Sequence, residues 1–155
     1  LIAGETGLIM PSLMHRADRG QSFMQTLPVR LVPGDDLRNT LEALSRNEAL
    51  GAAFVLQGIG SLSVANLRYA GIDQATLLDR DLEILTLAGS LGPDGAHLHM
   101  SVSDSAGRVY GGHVSPGCIV RTTAEILLAS LDGFRFSREV DSATGFPELS
   151  VHRQP

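Results

Sequence analysis

Between Ala96 and Ser103, apolar Leu98, Met100 and Val102 alternate with His97, His99, Ser101 and Ser103, the period-two pattern of a strand with one face buried. Other runs predict further strands. Residues 23–32 (FMQTLPVRLV) form one, and Pro28 within it argues for an edge position, because proline has no N–H to give to a neighbour. After the Pro33-Gly34 turn, Asp35 or Asp36 caps a helix whose Leu37, Leu41 and Leu44 share a face; it runs to about Leu50 and is stopped by Gly51. Ala52 to Gly58 is a continuous apolar run suited to a central strand, and Ser61 to Tyr69 is a second strand, with a bend or bulge at Gly58-Ile59-Gly60 between them. This Gly-x-Gly makes a poor nucleotide loop, since a third glycine is missing and no helix pattern follows. Leu82 to Ser90 is another apolar strand. Cys118 to Leu128 fits strand or helix, with β-branched Ile119, Val120, Thr122 and Thr123 favouring strand at its start. Residues 133–140 and 148–153 give one or two closing strands around the Ser142 to Gly145 turn.

The turn after the histidine strand decides where His113 lies, because a one-residue slip moves every side chain to the opposite face. A four-residue loop, Asp104 to Gly107, pairs Leu98 with His113 and separates the rings. A three-residue loop, Ser105-Ala106-Gly107, instead puts glycine at the left-handed position of a type I turn with a glycine bulge, where a Cβ would clash. The second register is expected. It faces Asp104 with Arg108 and sets His113 directly opposite His99. Opposed Cβ atoms lie about 4.5–5.5 Å apart, so His97, His99 and His113 are within reach of one ion at the ~2.0–2.1 Å of a zinc–imidazole bond. Zinc, or another divalent transition metal, is the expected ligand. The plainer alternative is three polar positions on the solvent face of a hairpin.

Four further residues bear on this chemistry. Glu83 sits among Leu82, Ile84, Leu85 and Leu87, where a carboxylate needs a partner or an edge; its functional reading is an acceptor or fourth ligand beside the histidines. Glu125 is a second candidate of the same kind, and either carboxylate is a candidate catalytic proton carrier. Arg68, at a strand end, is a candidate clamp for an anionic ligand, with a surface ion pair as the simpler role. Cys118 is expected as a small buried residue rather than a ligand.

The 155 residues suffice for one domain, placed at residues 22–153, with residues 1–21 read as an extension or fragment boundary and His15 given no role. A formal net charge of −5 and no visible basic cluster disfavour a phosphate-backbone partner. One cysteine excludes an internal disulfide, and no run approaches the ~18 apolar residues of a membrane span or the layout of a secretion signal. A cytoplasmic protein is expected.

Three stretches together resemble the plants-and-prokaryotes conserved (PPC) domain, found alone in many bacteria and joined to AT-hooks in plant nuclear proteins. They are Gln57-Gly-Ile-Gly-Ser-Leu through Asn66-Leu-Arg68; Leu82-Glu-Ile-Leu-Thr-Leu-Ala-Gly-Ser90; and His97-x-His99 through Gly111-Gly-His113 and Gly117-Cys to Thr123-Ala-Glu125. The resemblance covers roughly residues 22 to 153. It implies a compact α/β (α+β) domain, a largely antiparallel or mixed sheet with one or two packed helices. It also implies assembly as a homotrimer, and metal ligation by the corresponding histidines in some members. Its fold is similar to that of acetolactate decarboxylase, whose zinc is held by three histidines, an analogy that transfers no activity. The family's DNA-binding label implies a nucleic-acid partner, yet the Arg-Gly-Arg-Pro core of an AT-hook is absent; the nearest string, Ala17-Asp-Arg19-Gly20-Gln, lacks the second arginine and the proline.

Three functions compete. The first is a metal-binding, trimeric regulatory or scaffold module with a small-molecule or partner surface. The second is a zinc enzyme acting on a small carbonyl or carboxylate substrate, decarboxylase-like by fold analogy, with Glu83 or Glu125 moving the proton. DNA binding through Arg68, Arg108, Arg121 or Arg135 on an assembled basic surface comes third.

Overall fold

A computed structural model describes residues 24–155. The expected extension over residues 1–21 lies outside them. In chain order the elements are β1 (Met24–Leu31), α1 (Leu37–Asn47), β2 (Ala53–Arg68), β3 (Thr76–Gly92), β4 (Gly95–Asp104), β5 (Val109–Val114), β6 (Ile119–Leu131), β7 (Phe134–Val140) and β8 (Pro147–Arg153). Six strands form one antiparallel sheet in the order β1-β6-β2-β3-β4-β5, and β7 and β8 form a separate hairpin. The domain is α+β, with one helix among the described residues.

The sheet also closes on itself. At its far end β2 pairs with β5 through Leu67–Val114 and Arg68–His113, so β2, β3, β4 and β5 complete a ring. β5 and β6 run in the same direction along one edge of β2, interrupted by Ser115 to Cys118. Asp36 fastens that interruption to the helix: one carboxylate oxygen caps α1 by accepting from Asn39 N at 3.0 Å, and the other accepts from Gly117 N at 2.6 Å. The interior of the ring is filled by Leu62, Leu67, Leu82, Leu98, Val102 and Val114, and α1 adds Leu37, Leu41 and Leu44 to the same core. Burying one such side chain contributes about 1.5–3 kcal/mol, so the alternation of β4 is strongly held in register.

Several elements differ from the sequence expectation. Ala52–Gly58 and Ser61–Tyr69 are one long strand rather than two; Gly58-Ile59-Gly60 pairs in regular register with Ile126, Glu125 and Ala124 of β6, and the register shifts lie on either side of it, between Val55 and Gln57 and between Gly60 and Leu62. Leu82–Ser90 is the middle of a strand that runs from Thr76 to Gly92. The helix ends at Asn47, and it is Ala49, with φ 51°, that turns the chain instead of Gly51. The ambiguous run after Cys118 is strand throughout. Pro28 does lie on an edge strand, β1, with its missing N–H unneeded.

Candidate metal centre

The hairpin of β4 and β5 places the site. Gly107 takes φ 75° in the loop, its N–H donates to the Asp104 carbonyl at 2.9 Å, and the strands pair Ser103 with Val109, Ser101 with Gly111 and His99 with His113. This is the three-residue register. Asp104 anchors the turn through its carboxylate, which accepts from Ala106 N at 2.9 Å, Arg108 N at 3.1 Å and the Arg108 guanidinium at 2.8 and 2.7 Å. Arg108 beside it holds the Asp104 carboxyl down at about 2, against an ordinary 3.8.

The three imidazoles converge. His97 Nε2 lies 3.1 Å from His99 Nε2 and 3.2 Å from His113 Nδ1, and the three nitrogens available as ligands all fall within 4.8 Å of one another. His97 and His113 stack with centroids 5.1 Å apart, and His99 meets His113 edge-on at 4.2 Å. Four ligands around zinc at ~2.0–2.1 Å in a tetrahedron sit about 3.3 Å from each other. The two close nitrogen separations match that edge length. His99 is exposed while His97 and His113 are half-buried, which leaves one side of the cluster open to solvent.

The surroundings disfavour the charged form of two of the rings. Burial, then Arg138 and His99, holds His97 below the usual imidazole range; burial, then His99 and Arg68, does the same for His113. Metal ligation requires the neutral ring, and both shifts lower the proton's competition for the ligand nitrogens. Two arginines brace the frame of the site. Arg38 on α1 donates to the Val114 carbonyl and the Ala96 carbonyl, each at 2.8 Å, tying the end of β5 to the start of β4; Arg138 on β7 donates to Ser90 Oγ at 2.7 Å, and Ser90 is the β3 partner of His97. The sequence reading missed both. Arg38 has an i, i+4 partner in Glu42 at 3.0 Å, so its spacing resembled that of an ordinary surface pair on a helix.

The other candidates fall in different places. Arg68 joins the histidines, directly opposite His113 across the β2–β5 closure. Glu83 is exposed and pairs with Ser103, four residues along β4 from His99, roughly 13 Å at ~3.3 Å per residue. Glu125 is exposed on β6, opposite Ile59 of β2 and Arg30 of β1, and lines a separate groove. Neither carboxylate is brought to the cluster. Cys118 is fully buried, its sulfur 3.2 Å from Asn66 N, and burial pushes its thiol up to about 11, which removes it as a thiolate ligand. Of the arginines considered for DNA, Arg108 pairs with Asp104 at 2.7 Å and Arg121 with Asp81 at 2.9 Å.

A closed antiparallel sheet carrying three histidines on one hairpin defines the class of the molecule. Residues 18–132 match the model of the Plants and Prokaryotes Conserved domain, and the chain belongs to that family. It is 51% identical over 130 residues to the bifunctional protein GlmU of Synechococcus sp. (strain JA-3-3Ab), covering 84% of this chain and 21% of that protein; the chain thus spans about a fifth of the length of this curated relative. Among solved structures, a hypothetical protein from Salmonella cholerae-suis superposes with a TM-score of 0.84 at 37% identity, covering 88% of this chain and 99% of the other. A metal-containing protein from Archaeoglobus fulgidus superposes with a TM-score of 0.67 at 24% identity, covering 90% and 99%. Among the described residues, no helix is long and apolar enough to cross a membrane.

Proposed function

We propose that this chain is a metal-binding module, holding zinc or another divalent transition metal on His97, His99 and His113 and assembling as a homotrimer with a regulatory or scaffold role. The observation that carries the metal reading is the pair of nitrogen separations, 3.1 and 3.2 Å, which match the ligand spacing of a tetrahedral site. The metal-containing Archaeoglobus protein of the same fold supports it. With three protein ligands, one coordination position stays open, the arrangement that lets a metal take an exogenous ligand. Association of copies is supported by the outer face of the sheet. There Leu56 and Ile59 of β2 and Leu127 of β6 are solvent-exposed, and an open groove of about 540 Å³ lined by Val29, Ile59, Ile126 and Leu127 runs beside them.

Titration of the metal-free protein with zinc against a chromophoric chelator tests the site. One equivalent per chain is expected. His99→Ala should weaken binding by more than the about 10–100-fold that loss of an outer-shell partner costs, because it removes a ligand itself. Equal zinc affinity in the wild type and His99→Ala would contradict the assignment.

A further inference from the structure

We propose that the centre takes a small carboxylate as its exogenous ligand, with one oxygen on the metal and the other on the Arg68 guanidinium. This rests on the metal reading above and adds the class of ligand. The closure of the ring is what brings Arg68 there. Arg68 and His113 are direct cross-strand partners, and so are His113 and His99, so one transverse row carries the arginine and two of the three ligands on the same face of the sheet. The charge of Arg68 is felt at His113.

The arginine is free to take a ligand. Arg108 and Arg121 are ion-paired to aspartates, Arg38 is held by two carbonyls and Glu42, and Arg138 by Ser90. Among the described residues, Arg68 has no carboxylate within ion-pairing distance. A guanidinium beside a divalent cation repels it at close range, and the repulsion turns to attraction once an anion lies between them. A carboxylate suits the gap because its two oxygens serve the two cations separately, and the planar guanidinium matches its geometry. Gly111, two residues before His113 and on the same face, presents no side chain and keeps this flank open. Among the charges felt at His97 is one carboxylate, Glu148.

Cobalt(II) in place of zinc makes the coordination visible. The cobalt-loaded protein should show the intense visible bands of a tetrahedral site, and acetate should shift them in a saturable titration. Arg68→Ala should keep cobalt affinity within about threefold, while raising the acetate dissociation constant about tenfold or more; Arg68→Lys should recover only part of it, since a point charge lacks the fork. Chloride, which offers a single atom, should be weakened much less by Arg68→Ala than acetate. Equal weakening of chloride and acetate would reduce Arg68 to a field effect and overturn the bridge. Unchanged acetate binding in Arg68→Ala, or cobalt bands indifferent to acetate, would also overturn it while leaving the metal site standing. Absence of tetrahedral cobalt bands would defeat the metal reading itself, and this inference with it.

Discussion

Asp104 is the residue on which the geometry of the hairpin turns. Its carboxylate gathers two backbone N–H groups and the Arg108 side chain, and the Tyr110 hydroxyl stands 3.3 Å away, so the loop conformation depends on the ionised form. Because the folded carboxyl titrates at about 2 instead of 3.8, its contribution to stability is complete above the ordinary value and is lost as pH falls through the folded one. Urea unfolding of the wild type and Asp104→Asn should therefore differ at pH 7, converge below about pH 4, and coincide only below about pH 2. A difference independent of pH would mean that Asp104 acts by shape and not by charge. The histidines carry the opposite lesson about single residues. Each alone is an unremarkable polar position, and only the position of Gly107 in the sequence indicated that all three face one way.

At the scale of elements, two glycines of one hairpin act for different reasons. Gly107 needs its φ of 75° but has open space around it, so Gly107→Ala should cost about 1–2 kcal/mol from backbone strain and leave the strands paired. Gly112 is where β5 lies against β2: a Cβ there would stand 2.7 Å from the Arg68 carbonyl oxygen. Gly112→Val should push β5 off β2, destabilise the protein by about 1–3 kcal/mol, and weaken zinc binding by displacing His113. Thermal melts and the chelator titration read the two effects separately; normal zinc affinity in Gly112→Val would show that the ring closure does not support the site. The hairpin was legible in the sequence because Asp104, Gly107 and the alternation of β4 are local signals that agree. The closure was not, since it consists of two residue pairs between segments more than forty residues apart, and no periodicity records it. For the same reason Arg68 was visible as a candidate without its place beside His113. Glu83 and Glu125 were selected for their apolar neighbours in sequence, yet alternation turns both outward, away from the buried side chains of Leu82 and Ile84 and of Ala124 and Ile126.

On the whole-molecule scale, the exposed apolar face of β2 and β6 is the feature that the single chain leaves unexplained. Ile59 and Leu127 are 45% and 36% exposed on a sheet face where alternation otherwise places polar groups. A second copy of the chain is the occupant we expect, repeated around a threefold axis. Sedimentation equilibrium should give three times the 16.4 kDa chain mass, and Ile59→Glu should shift it toward the monomer by placing a charge in the interface. A monomeric wild type at micromolar concentration would remove the trimer. The sequence itself showed this face poorly, because the register of β2 against β6 shifts between Val55 and Gln57, so the period-two rule loses its phase at Leu56.

Whether three imidazoles of one hairpin hold a divalent metal is read from X-ray absorption at the zinc edge of the zinc-loaded protein. Three imidazole nitrogens at ~2.0–2.1 Å, with one further light-atom ligand and no sulfur, is the predicted shell. A shell containing sulfur at about 2.3 Å, or one lacking the outer-ring scattering of imidazole, would contradict it.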